Sequence, residues 1–191
     1  MLKTGALGVA LAAAVVLSIP TVGAQTRGER EEFTATAVVN NNLGAGIGRV
    51  IMRVTRWSTE AERDLLARTL LKSGPEKLLD VLQDQRSVGT IRTPDSLGYD
   101  LRYAHQEPGE DGGRRIVIAT DRPISFWEAA NRPRTVDYPF TVIQMQMDKN
   151  GEGTGTLSYA TKIVTRGNTI ELENFASSPV MLTEIRSKKI D

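Results

Sequence analysis

The chain has 191 residues, 24 Lys and Arg against 23 Asp and Glu, one histidine and no cysteine. That balance leaves no electrostatic footprint for nucleic acid or anionic lipid. The missing cysteines exclude disulfides, thiol nucleophiles, thiolate zinc sites and haem attachment, and the lone histidine excludes multi-histidine metal sites.

The first residues read as an export address. Met1-Leu-Lys3 is a short positive start, Ala6 to Ile19 is apolar, Pro20 breaks the run, and Val22-Gly-Ala24 places small residues where a signal peptidase cuts. A Sec-type signal peptide over 1–24 is predicted, with cleavage before Gln25 and a destination in the periplasm or outside the cell. The apolar run, about 14 residues, is too short to cross a bilayer as a helix. No cysteine at the cleavage site offers a lipid anchor, no Arg-Arg pair marks a twin-arginine route, and no later segment reads as a membrane span. Without the leader about 167 residues remain, with 23 charges of each sign. That is one domain, and its core must suffice without cross-links.

Residues 25–32 read as a disordered lead-in to a single domain over 33–187. Phe33 to Val39 alternates as a first strand, Asn40 to Gly48 reads as a flexible turn, and Arg49 to Trp57 as a second strand. Two helices are expected next. Thr59 with Glu62 is a capping box, and Glu60, Glu62 and Asp64 suit the positive end of the helix dipole. Ala61, Leu65, Leu66, Leu70 and Leu71 form the first apolar stripe. Ser73-Gly74 ends that helix and Pro75 opens a second, with Leu78, Leu79, Val81 and Leu82 buried, so a helical hairpin is predicted across the sheet.

From Ser87 the period returns to two. Val88 to Thr93 is a strand, and Tyr99 to Gln106 places Tyr99, Leu101, Tyr103 and His105 on one inward face. Arg114 to Thr120 is another strand, and Asp121 to Pro139 is irregular. Phe140 to Val164 reads as one long hairpin about Asn150-Gly151, with Ile143, Met145 and Met147 on one face, answered by Leu157, Tyr159 and Ile163. Thr169 to Glu173 and Val180 to Arg186 complete the strands, and Ser187 to Asp191 is expected to fray. The fold class is therefore α+β: a curved antiparallel sheet or partial barrel of about eight or nine strands, with one helical hairpin inserted after the second. The order of elements resembles that of helix-grip and lipocalin-like ligand carriers, though the long C-terminal helix of the former is missing.

Motifs that carry chemistry are few. Gly44-Ala-Gly46-Ile-Gly48 departs from the dinucleotide fingerprint, because Arg49 stands where the third glycine belongs and a strand follows. Asp148, Asn150 and Glu152 match the first three ligands of a calcium loop, but Tyr159 occupies the position of the bidentate glutamate, so a hairpin turn explains the same residues. No nucleophile elbow is present. The segment from Asp121 to Tyr138 is the most suggestive, because long irregular loops are often functional and Arg and Trp dominate binding hot spots. Tyr103, His105, Arg122, Trp127 and Tyr138 are the candidate ligand-binding residues, with no catalytic residue, metal or cofactor assigned.

The reading is a non-catalytic binding module for an unidentified small molecule or envelope protein, with no nucleic acid partner. A structural or assembly protein of the envelope acting through a sheet edge is the alternative. A hydrolase using His105 stands behind both, since one histidine is thin support for a triad.

Overall fold

The structure, a computed structural model, describes residues 28–41, 44–122, 139–166, 169–174 and 178–191. The predicted signal peptide and the loop carrying Trp127 and Tyr138 lie outside the described residues.

Two long strands, β1 (Glu31–Asn41) and β2 (Gly44–Val54), pair antiparallel along their whole length. The glycines read as a turn are the start of β2. Pairing with β1 supplies the ladder that decides the matter, whatever the weak strand preference of glycine. Helix α1 (Glu60–Gln83) follows, then β3 (Gly89–Arg92), β4 (Tyr99–Leu101), β5 (Tyr103–Pro108) and β6 (Arg114–Thr120). The last four are β7 (Phe140–Met147), β8 (Glu152–Arg166), β9 (Thr169–Asn174) and β10 (Val180–Lys189).

The strands form one antiparallel sheet in the order β4-β3-β2-β1-β10-β8-β7-β6-β5, with β9 added to β8 off this path. Its two ends, β4 and β5, are successive halves of one run broken at Arg102. The first half pairs with β3 and the second with β6. The Arg102 amide donates to the Ala119 carbonyl at 3.0 Å. Beside the break, the Ser58 amide donates to the Ala104 carbonyl at 2.8 Å, and the Ser58 hydroxyl accepts from the Ala104 amide at 3.1 Å. The sheet is thus a nearly closed antiparallel barrel, which leaves few raw edges.

Alternation sends one side chain of each pair inward. Phe33, Met52, Ile91, Leu101, Ile116, Ile118, Ile143, Met145, Met147 and Leu157 are all fully buried in one cluster, joined by Ala35, Ala37, Ala104, Val180, Leu182 and Ile185. Barrels of this size have an interior that side chains can fill, and this cluster does so around Phe33, Met52, Ile118, Met145 and Leu157. On β8 the inward positions beside Met145 and Met147 are Gly155 and Gly153. A Cβ at either would collide with β7 backbone and crowd those methionines. The flexible methionines take the space the glycines leave.

Helix α1 lies outside the barrel. Leu66, Leu70, Leu78 and Leu82 pack on Ala119, Phe140 and Val142, which alternate with the interior set, and on Tyr103, Val117 and Ile163. It is one helical element, not the expected hairpin of two. The break falls where Gly74 takes φ 83° and ψ 178°, just before Pro75. The buried stripe is narrower than expected, with Ala61, Leu65 and Leu71 exposed, because a helix lying on a convex barrel touches it along a single line.

Three irregularities shift the phase of alternation, one of them the bulge on β10 that turns both Leu182 and Ile185 inward. At the break at Arg102 the inward face passes from Leu101 to Ala104, so Tyr103 and His105 turn outward under α1, contrary to the single inward face expected. On β8 the register slips between Ser158 and Thr161. Leu157 therefore points into the barrel and Ile163 out to the helix. The C-terminus is paired to Lys189 along β1, and the Ile190 amide donates to the Arg30 carbonyl at 3.0 Å, where fraying was expected.

Candidate functional site

Of the five residues singled out, the structure brings two together. Tyr103 and His105 stack on the outer face of β5 with ring centroids 6.1 Å apart. The first turn of α1 covers them. His105 Nε2 lies 3.9 Å from a Glu60 carboxylate oxygen and 3.7 Å from one of Glu107, and Arg63 reaches both acids. Burial pushes the Tyr103 phenol up to about 12, with Arg63 opposing and Glu107 and Glu60 adding. Tyr103 is thus a neutral phenol at physiological pH. Among the described residues the ion-pair contacts of His105 are the carboxylates of Glu60 and Glu107, an arrangement that fixes an imidazole.

Arg122 stands elsewhere, just past the end of β6, half exposed, with its Nε 3.5 Å from the Asp121 carboxylate. Asp121 is buried, and the Arg102 guanidinium stands on its other oxygen at 3.4 Å. The Arg122 carbonyl accepts from the Thr120 and Thr141 hydroxyls. Arg102 also donates to the Gln85 carbonyl at 3.1 Å, tying the end of α1 to the barrel. This cluster fastens the end of β6 and the end of α1 to the barrel. Trp127 and Tyr138 lie outside the described residues.

The residues of the calcium alternative lie in and beside the turn between β7 and β8. Asp148 Oδ1 accepts from the amides of Asn150 (2.8 Å) and Glu152 (2.9 Å), and Oδ2 from the Asn150 side chain (3.2 Å). The Glu152 amide bond, aided by those from Asn150 and Gly151, holds the Asp148 carboxyl below its ordinary value. Glu152 faces Arg186 at 3.6 Å. Among the described residues no group of three or more His, Asp or Glu is arranged to hold a metal. Nor is the turn the two-residue Asn-Gly type. Of residues 148–151 only Gly151 has positive φ, at 81°, because Asp148 draws the chain into a wider loop closed by its own backbone bonds to Glu152 and Gly151.

The most built polar site has no local signal in the sequence. Arg114 opens β6 and Glu31 opens β1. Three strands (β10, β8, β7) separate β1 from β6 on one side and four short or long ones (β2, β3, β4, β5) on the other, so the two lie on opposite walls. Their side chains nonetheless meet in a bidentate pair at 2.7 and 2.5 Å. Arg114 also donates to Gln106 at 2.8 Å and lies over the Phe33 ring at 5.7 Å. Trp57 meets Phe33 edge-on and donates its indole N–H to the Glu29 carbonyl at 3.0 Å. Gly28 crosses this end so closely that any Cβ would run into the Trp57 indole. The guanidinium, amide and aromatic rings together close one end of the barrel. In sequence Glu31 is one of a run of charges and Arg114 follows a glycine turn; nothing local to either names the other.

No protein-family model matches the chain, no curated protein matches it, and no solved structure matches it.

Proposed function

We propose that the chain is an exported, non-catalytic binding module that recognises its ligand or partner on its outside, not in the barrel. One observation carries this reading: the barrel interior is occupied by its own side chains from Phe33 through Met145 and Met147 to Leu157, and one end is shut by Glu31 and Arg114. A lumen carrier in the manner of lipocalin-like proteins needs a dry cavity of several hundred Å³, and among the described residues the interior cluster about Phe33, Met145 and Leu157 is fully buried. The contacts of His105 and of Asp121 are explained by fastening α1 to the barrel, which supports a binding role over a hydrolytic one.

Native mass spectrometry of the protein purified from its own host, with cross-linking of the intact envelope, tests the reading. The expected result is a chain beginning at Gln25, free of any small molecule retained by the folded barrel, and cross-linked to an envelope component through outward residues. A ligand released only when the barrel unfolds would refute it.

A further inference from the structure

We propose that the outer half of β2, Gly44–Val50, is a self-pairing edge through which two copies of this chain associate. β3 pairs with β2 only from Ile51 to Val54. Beyond Ile51 toward Gly44, β2 has β1 on one side and no strand on the other among the described residues. A naked strand edge is a template for another strand, and proteins normally guard it with proline, a bulge or charged side chains, lysine above all; here the one charge is Arg49, near the end that β3 covers. This segment, Gly-Ala-Gly-Ile-Gly-Arg-Val, has no proline or lysine, and its register with β1 runs without a bulge.

Gly46 and Gly48 share the face of Val50 and Met52, and a Cβ built at either meets nothing within 4 Å. Between them Ile47 is 77% exposed. It ends an apolar row of directly opposed residues on the outer face, Met181 on β10, Val38 on β1 and Ile47 on β2. That row lies across strands α1 does not cover. A further strand beside β2 would extend it.

The occupant that fits without further assumption is the same strand of a second copy. An antiparallel pairing about a two-fold axis at Ile47 sets Ile47 against Ile47 of the second copy, Gly48 against Gly46 and Arg49 against Ala45. No like charges oppose, and the two isoleucines form a cross-strand pair of the kind that stabilises sheets. The inference stands apart from the reading of outward recognition, since a filled lumen neither requires nor forbids the pairing.

Sedimentation of the processed full chain from micromolar to sub-millimolar concentration tests it. The expected result is a reversible dimer. Ile47→Lys, which opposes two like charges and removes the apolar pair, should yield a monomer with an unchanged circular dichroism spectrum. Met181→Lys, on the same face but away from the edge, should leave the dimer intact. If Ile47→Lys fails to fold, hydrogen exchange on the unmodified chain decides instead: protection of amides in Gly44–Val50 should rise with concentration. A monomer at every concentration overturns the proposal. So does a dimer that Ile47→Lys leaves intact, a filament, or an edge that pairs only with a foreign peptide.

Discussion

Glu31 and Arg114, on opposite walls of the barrel, form a bidentate ion pair across its end, with Arg114 resting on the Phe33 ring. A pair buried to this degree is costly to desolvate, and far costlier to break than to replace. Arg114→Met alone should lower stability in urea by about 3–5 kcal/mol, because it strands the Glu31 carboxylate inside. The double change Glu31→Leu with Arg114→Met should recover most of that loss. A single variant as stable as the parent would show that the two charges do not meet in solution.

The contact line of α1 separates leucines that look alike in sequence. Leu70 is 4% exposed and Leu65 is 42% exposed. Leu70→Ala should cost about 2–5 kcal/mol through lost burial and the cavity left behind. Leu65→Ala should stay within about 0.5 kcal/mol, as surface changes do. Equal losses would place the helix in a different rotation about its axis.

Glu62 gives the helix N-terminus a pH signature. Burial pushes its carboxyl up, but the Arg56 guanidinium and the Thr59 amide and hydroxyl outweigh burial and hold it below its ordinary 4.5. A depressed carboxyl stabilises the fold above its unfolded-state pKa, and loses that contribution as pH falls through the folded value. The stability difference between the parent and Glu62→Gln should therefore be largest at neutral pH and shrink on acidification below about 4.5. A difference that grows in acid would reverse the assignment. Thr59→Ala, which removes the other half of the capping box, should cost about 1 kcal/mol with little pH dependence.

Gly155 is a packing requirement. Its missing Cβ would strike the Gln144 carbonyl and crowd Met145. Gly155→Val should destabilise by about 1–3 kcal/mol or more, the usual range for overpacking, despite valine's preference for strands. If thermal denaturation showed stabilisation instead, the close approach of β7 and β8 would be wrong.

Local patterns carried the fold further than the site. Alternation in Phe33–Val39 and Phe140–Met147 named the inward residues, and Thr59 with Glu62 named the cap, because each signal lies within a few neighbouring residues. The single inward face from Tyr99 to His105 failed at Arg102, where closing the barrel requires one run to serve two partners. The Gly44–Gly48 stretch looks like a turn in sequence because glycine's disfavour for strands is local, whereas its pairing with Ala37–Asn41 is made by β1. Glu31 and Arg114 are 83 residues apart and become partners only when the sheet curls into a barrel.

The central claim is that the barrel interior is the protein's own core. Methyl NMR on chain labelled at methionine and isoleucine, titrated with lipid extract of the host, tests it most directly. The prediction is that the methyls of Met52, Met145, Met147, Ile118 and Ile143 keep their positions while outward methyls such as Ile47 and Met181 remain free to respond. Saturable shifts confined to the interior methyls would mean that the barrel opens to hold a guest, and would contradict the account.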